Sequence, residues 1–240
     1  MKPISVQQLN AATPEQWADI LKGPAEELAR WLLAAAEQGV SSAQANYGQM
    51  LLDGIGLAPD QAQALHWFKA AARADHVMAM NMVGRCYENG WGTKPNQDIA
   101  TYWFRLAANR GLDWGMYNYA TSLTLGRGTE PDRLQAFAWF DKAAKLGHAK
   151  SLNILGGFYE DGWEVECDIA MAVDYYRLAA LGGDFRGQFN YARLLADQGN
   201  IAEATAWMKR VPETATATFL AKARCFLAQA SHPELRTLII

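Results

Sequence analysis

Residues 54–72 read GIGLAPDQAQALHWFKAAA, and residues 90–108 read GWGTKPNQDIATYWFRLAA. Set one above the other, they match in phase at an interval of 36 residues, and the phase extends well beyond them. Gly54, Gly90, Gly126 and Gly162 form one ladder; Trp31, Trp67, Trp103 and Trp139 form another, with Tyr175 on its fifth rung. Four of nine tryptophans on a single ladder is not chance placement. A period between about 20 and 50 residues is the mark of a stacked repeat array, in which each unit buries its apolar face against its neighbours.

The ladders define the unit. Small residues recur at Gly48, Gly84, Ala120, Gly156 and Ala192, and at Ala64, Ala100, Ala136 and Ala172. Paired alanines recur at Ala35-Ala36, Ala71-Ala72, Ala107-Ala108, Ala143-Ala144 and Ala179-Ala180, and aromatics at Phe68, Phe104, Phe140 and Tyr176. Each unit reads as two helices: helix A over Ser42 to Asp53 in the first full unit, helix B over Asp60 to Ala74. The first Gly of Gly-x-Gly-x-x-Pro stops helix A in a left-handed residue. Asp60, Asn96, Asp132 and Asp168 then stand where an N-cap accepts from the free amides of helix B. Gln63 and Gln135, three residues on, match a capping box. Helix B stops at Gly39, Gly111, Gly147 and Gly183, with Asp75 the exception. The small rungs let helices A and B approach, and the Trp and Phe rungs are expected to fill the space between consecutive units.

This pattern resembles the Sel1-like repeat family, a relative of tetratricopeptide repeats. The residues that carry the resemblance are Ala/Gly-x-x-x-x-Gly, a Tyr or Leu, Gly-x-Gly, Asp, Ala-x-x-Trp-Phe-x-x-Ala-Ala and a closing Gly, over about residues 24–210. The resemblance implies an all-α, right-handed superhelical solenoid of helix–turn–helix repeats. The expected division is an N-terminal cap and partial repeat at 1–41, repeats at 42–76, 77–112, 113–148 and 149–184, and a fifth unit at 185–211. The fifth is of tetratricopeptide length, because Ala192 and Ala204 lie 12 apart where Gly48 and Ala64 lie 16 apart. A capping helix from about Thr214 to Gln229 and a tail fill 212–240, and an N-terminal capping helix spans Thr13 to Leu21 with Pro14 in its first turn. The fourth A–B loop departs from the pattern: Glu164 replaces the second Gly and Cys167 the Pro.

Composition narrows the function. A net charge of -3 and a pI near 5.8 argue against a nucleic-acid partner. No run of about 18 apolar residues marks a membrane span, and Met1 to Asn10 holds no apolar signal core. Cys86, Cys167 and Cys225 are odd in number and far apart, as in a reducing cytoplasm, with Cys86 and Cys225 expected to be buried thiols. His66, His76, His148 and His232 form no ligand pair, and neither a nucleophile elbow nor a phosphate loop is present. No catalysis, metal or cofactor is expected. The cysteine-rich branch of the family, associated with penicillin binding, carries a bridged Cys pair in each repeat; this chain has none.

A protein or peptide partner remains, and in repeats of this kind helix A lines the concave groove. Counted from the small residue at Gly48 and its equivalents, six before reads Ser42, Met78, Trp114, Lys150, Arg186; three before reads Ala45, Asn81, Tyr117, Asn153, Phe189. One after reads Gln49, Arg85, Thr121, Gly157, Arg193, and four after reads Leu52, Glu88, Thr124, Glu160, Ala196. These lie on one helix face. Asn46, Asn118 and Asn190, two before, recur on alternate units; they either clamp a ligand backbone, as the resemblance implies, or tie neighbouring helices together. Carboxylates in the last turn oppose the helix dipole by about 0.3–1 kcal/mol, so Glu88 and Glu160 point to a groove with a basic, aromatic edge and an acidic edge. The expected binding set is Asn46, Asn81, Arg85, Trp114, Tyr117, Asn118, Asn153, Phe189, Asn190 and Arg193. The function expected is a cytoplasmic, non-catalytic scaffold or adaptor. The alternatives are a regulatory module of a signalling or envelope complex, or a hydrolase of cell-wall-like ligands. The apolar Leu235, Leu238, Ile239 and Ile240 mark either an oligomer contact or a folded-back end.

Overall fold

A computed structural model describes residues 3–238, and among them there are fifteen α-helices and no β-strand. Two compact units divide at Pro131. The first holds α1 (Val6–Ala11), α2 (Pro14–Lys22), α3 (Ala25–Glu37), α4 (Ser41–Asp53), α5 (Gln61–Arg73), α6 (Val77–Asn89), α7 (Gln97–Asn109) and α8 (Asp113–Leu125). The second holds α9 (Arg133–Lys145), α10 (Ala149–Asp161), α11 (Ile169–Leu181), α12 (Phe185–Asp197), α13 (Ile201–Met208), a 3-10 turn (Val211–Glu213), α14 (Ala217–Ala228) and α15 (Pro233–Arg236). The chain is an all-α solenoid: within each unit, successive helices pack as neighbours.

The 36-residue punctuation sets these boundaries. Gly54, Gly90, Gly126 and Gly162 close α4, α6, α8 and α10 in the left-handed conformation, with φ between 64° and 76°. At the first of these, the amide of Ile55 also donates to the Met50 carbonyl at 3.1 Å, satisfying a terminal acceptor. Asp60, Asn96, Asp132 and Asp168 each accept from the third amide of the next helix, at 2.8–3.0 Å. The capping box expected at Gln63 does not form. Gln63 Nε2 donates to Asp60 Oδ2 instead, because the Asp60 amide is already spent on the Leu51 carbonyl at 2.9 Å. Reciprocal boxes form at Ser5–Gln8 and Thr13–Gln16, which start α1 and α2. The first of these helices lies ahead of the expected cap, and Ser5-x-x-Gln8 was its signal.

Packing inside a repeat differs from the expectation at the aromatic rungs. Phe68, Phe104 and Tyr176 are buried, and each ring lies on the small residue of its own repeat. A Cβ on Gly48, Gly84 or Gly156 would come within 3.0, 2.5 and 2.5 Å of these rings. The Phe rung therefore closes the space between helices A and B of one unit, and the Trp rung is half-buried at its margin, as where Trp67 meets the edge of Tyr47. Between consecutive repeats the filling is alanine. A Cβ on Gly115 or Gly187 would lie 2.7 or 2.5 Å from the Cβ of Ala107 or Ala179. These glycines belong to a further small-residue ladder, Ala43, Ala79, Gly115, Ser151 and Gly187. A large side chain there would wedge two repeats apart.

The second glycine of the loop has the tightest role. A Cβ on Gly56, Gly92 or Gly128 would fall 2.4, 2.2 or 2.2 Å from the carbonyl oxygen of Ala25, Gln61 or Gln97. Each is the first residue of the preceding helix B, so the A–B loop of one repeat rests on the backbone of the repeat before it. Thr101 Oγ1 ties the loop further, donating to the Arg127 carbonyl at 2.7 Å. Glu164 keeps the left-handed backbone (φ 56°) but brings a Cβ. There the loop meets Arg133 through the Trp163 ring, with the guanidinium 5.4 Å from its centroid.

The C-terminal cap starts later than expected, with Thr216 capping α14 through the Phe219 amide at 3.3 Å. Leu235 folds back into the core, where it is 1% exposed; Ile239 and Ile240 lie outside the described residues. Cys225 is exposed on α14, not buried, since only Ala223 and Leu227 of that helix turn fully inward. Cys86 is fully buried, and that burial pushes its thiol up to about 11.

Two outcomes follow. Gly92→Ala adds both left-handed strain and a collision with the Gln61 carbonyl, whereas Gly111→Ala meets nothing within 4 Å and bears the strain alone. Urea unfolding should place the second at about 1–2 kcal/mol and the first well above it. At the start of α12, Asp184 accepts from the Gly187 amide at 2.8 Å, while burial raises its carboxyl pKa. A raised folded value stabilises fully below the ordinary carboxylate range, and that contribution is lost as pH rises through the folded value. Asp184→Asn keeps a cap without the buried charge. It should match or exceed the parent at neutral pH, with that advantage shrinking as pH falls through the raised Asp184 value, whereas Asp184→Ala should lose about 1 kcal/mol.

Candidate functional site

Helices α4, α6 and α8 present the expected binding face in the first unit, and α10 and α12 in the second. Their side chains differ in burial and in the contacts they make within the chain.

The asparagines are tied. Asn118 Nδ2 donates to Asn81 Oδ1 at 2.8 Å, and Asn190 Nδ2 donates to Asn153 Oδ1 at 3.0 Å. Both pairs join consecutive A helices, and Asn81 and Asn153 are buried. Of the two roles open for these residues, this geometry is the one that ties helices together. At the earlier step, from α4 to α6, the same two positions hold Ala45 and Met82, both buried and apolar. Asn46 has no preceding A helix of full length, only the short α1 and α2. It is exposed and lines a cleft of about 400 Å³ with Leu9, Trp17 and Leu32.

Arg193 is also tied. Its Nη2 lies 2.6 and 2.7 Å from the two oxygens of Glu160, and Tyr176 donates its hydroxyl to Glu160 Oε2 at 2.8 Å. Both charged side chains are about four-fifths buried. Burial first, and this hydrogen bond second, push the Tyr176 phenol far up, so it stays protonated as a donor. In this unit the basic and acidic edges expected of the groove therefore meet and neutralise each other. The spacing hid the contact, since one residue after the small position reaches four after it on the neighbouring helix. Phe189 packs edge-on against Phe219 and Phe226 of α14, at 5.4 and 5.2 Å between centroids. Arg186 lies over Phe185 and Phe219. The chain's own helix thus covers the anchor that the sequence offered to a ligand.

The first unit differs. Met78 and Trp114, at the same register on α6 and α8, are 45% and 39% exposed. Tyr117 meets the Trp114 ring edge-on at 6.2 Å. Arg85 is exposed, its guanidinium 5.0 Å from the Trp91 centroid, and among the described residues no carboxylate is within ion-pair distance of it. Among the described residues no three His, Cys, Asp or Glu side chains gather as a metal site, and no helix is long and apolar enough to cross a membrane.

Asn118→Ala strands the buried Asn81 oxygen and should cost about 1–3 kcal/mol in thermal or urea unfolding. Asn81→Ala with Asn118→Met copies the apolar Ala45–Met82 step and should recover most of that loss. A double variant as unstable as the single one would show that the pair does more than satisfy itself.

Comparison with known proteins agrees with this architecture. The Sel1 repeat model matches at residues 29–40, 41–76, 77–112, 115–148 and 149–184, more than half of the chain. The protective antigen c5321 of uropathogenic Escherichia coli, described as displaying an SLR fold, is 27% identical over 92% of this chain, with a TM-score of 0.71. The chain spans half the length of that protein. A Sel1 repeat protein from Oxalobacter formigenes is 24% identical, with 88% of this chain and 92% of that one covered and a TM-score of 0.76. The immunity protein Pa5087 of Pseudomonas aeruginosa shares the fold at 16% identity, with 82% and 74% covered and a TM-score of 0.56. A search of curated proteins finds no match. Sel1 repeats are in general protein-interaction modules, and proteins built from them are typically non-catalytic scaffolds. The match over most of the repeats, together with the shared fold, makes this chain a member of the Sel1 repeat family.

Proposed function

We propose that the protein is a non-catalytic scaffold or adaptor that holds a peptide or protein segment on the A-helix face of its first unit, along α6 and α8. The observation that carries this reading is the contrast between units. Arg85 is exposed with no carboxylate at ion-pair distance among the described residues, while its counterpart Arg193 is bound to Glu160; Met78 and Trp114, on the same two helices as the proposed face, are 45% and 39% exposed. Aromatic and arginine side chains are the groups that most often dominate binding energy at protein interfaces. Tyr117 widens the aromatic surface beside Trp114. Asn81 and Asn118, bonded to each other, act by fixing the spacing of α6 and α8. Asn46 lies on the same face, at the first unit's cleft.

Immobilised protein should retain a discrete partner from a lysate of its source cell. Trp114→Ala and Arg85→Glu should each reduce that retention at least tenfold, with helicity and melting temperature unchanged. Glu160→Gln with Arg193→Gln, which alters only the internally paired site, should leave it intact. Equal retention by all variants would place the interaction elsewhere on the molecule.

A further inference from the structure

Arg85 and Arg193 occupy one register, each a single residue beyond the small position of its A helix, Gly84 or Ala192. The second shows what a guanidinium at this register accepts. Both oxygens of the Glu160 carboxylate lie on Arg193 Nη2, and that carboxylate comes from four residues beyond the small position of the preceding A helix. For Arg85 the corresponding position is Leu52, which brings no charge. The cation is thus present without its carboxylate, backed by the Trp91 ring at 5.0 Å and exposed.

On the functional reading above, on which this step rests, we infer that Arg85 receives a carboxylate from the ligand: the bound segment is a peptide with an Asp or Glu side chain seated on Arg85. The internal Glu160–Arg193 pair is the template for that contact. The apolar side chains of the same segment face Met78 and Trp114. Charge complementarity selects this occupant over a neutral or basic one, because a desolvated guanidinium left without an anion disfavours binding.

The template also supplies the test. Leu52→Glu would place in the first unit the carboxylate that Glu160 supplies in the second, closing the site from within. Full-length protein is exposed to three octapeptide pools that are randomised except at one central position, fixed as Glu, Gln or Lys. The parent should retain the Glu pool at least tenfold over the Gln pool and reject the Lys pool. Leu52→Glu and Arg85→Gln should each abolish the Glu preference, and Arg85→Glu should reverse it toward Lys. A folding readout guards the first variant: Leu52→Glu should melt higher with Arg85 present than with Arg85→Gln, and no such coupling overturns the register on which the inference stands. Equal retention of Glu and Gln pools, released by Trp114→Ala, overturns the carboxylate inference and leaves the peptide-binding reading standing. Retention of no pool, or retention indifferent to Trp114→Ala, overturns both.

Discussion

The fold depends on how closely one backbone can approach another. At Gly92 a methyl group would sit 2.2 Å from the Gln61 carbonyl oxygen, and at Gly84 one would sit 2.5 Å from the Phe104 ring. The first contact sets one repeat on the next, and the second sets helix A on helix B. Neither is an attraction in itself. Each is a place where the absence of a side chain lets buried surface form on both sides of it. The core that results is rich in alanine: Ala71 and Ala107 are fully buried, beside Phe68 and Phe104 at 1% exposed. Small side chains bury little apolar area each, so such a core must be continuous to be stable. This is why a single repeat would not hold.

That constraint explains where the sequence was legible. A helix stop, a cap and a close approach each demand one residue type, so Gly54, Asp60 and Gly84 recur in phase and declare themselves. Helix boundaries followed from them almost directly. Positions whose role depends on a partner elsewhere carry no such mark. Phe68 is equally apolar whether it packs within a repeat or between two, and only the collision distance at Gly48 decides. Asn118 has the same composition as a ligand clamp or as half of a side-chain pair; the decision lies in Asn81, 37 residues away. Cys225 sits among apolar neighbours yet faces outward, because the inward stripe of α14 is narrow.

The same logic separates the two units. In the second, the groups that a reader of the sequence would assign to a ligand are consumed by the chain. Glu160 takes Arg193, and α14 lays Phe219 and Phe226 on Phe189. Helix-dipole reasoning had shown that Glu160 was not there for the sake of its own helix. It was silent on whether the counter-charge came from another molecule or from the adjacent helix, since the reach of 33 residues is visible only once two repeats are stacked.

Repetition then becomes an instrument for reading function. In an array, one position is sampled several times under nearly the same backbone, so a difference between samples isolates the side chain. Position three before the small residue is Ala45, Asn81, Tyr117, Asn153 and Phe189. Where it is Asn, the next helix answers with Asn; where it is Ala, with Met82. Stacking thus couples pairs of positions in adjacent repeats, and a coupled pair is explained by the fold. Arg85 breaks the rule. Its partner position, by register, holds Leu52, an apolar residue where the Arg193 register is answered by a carboxylate. The proposed ligand carboxylate would supply at Arg85 what Glu160 supplies at Arg193, so the same register, sampled twice, frames the contact to be tested.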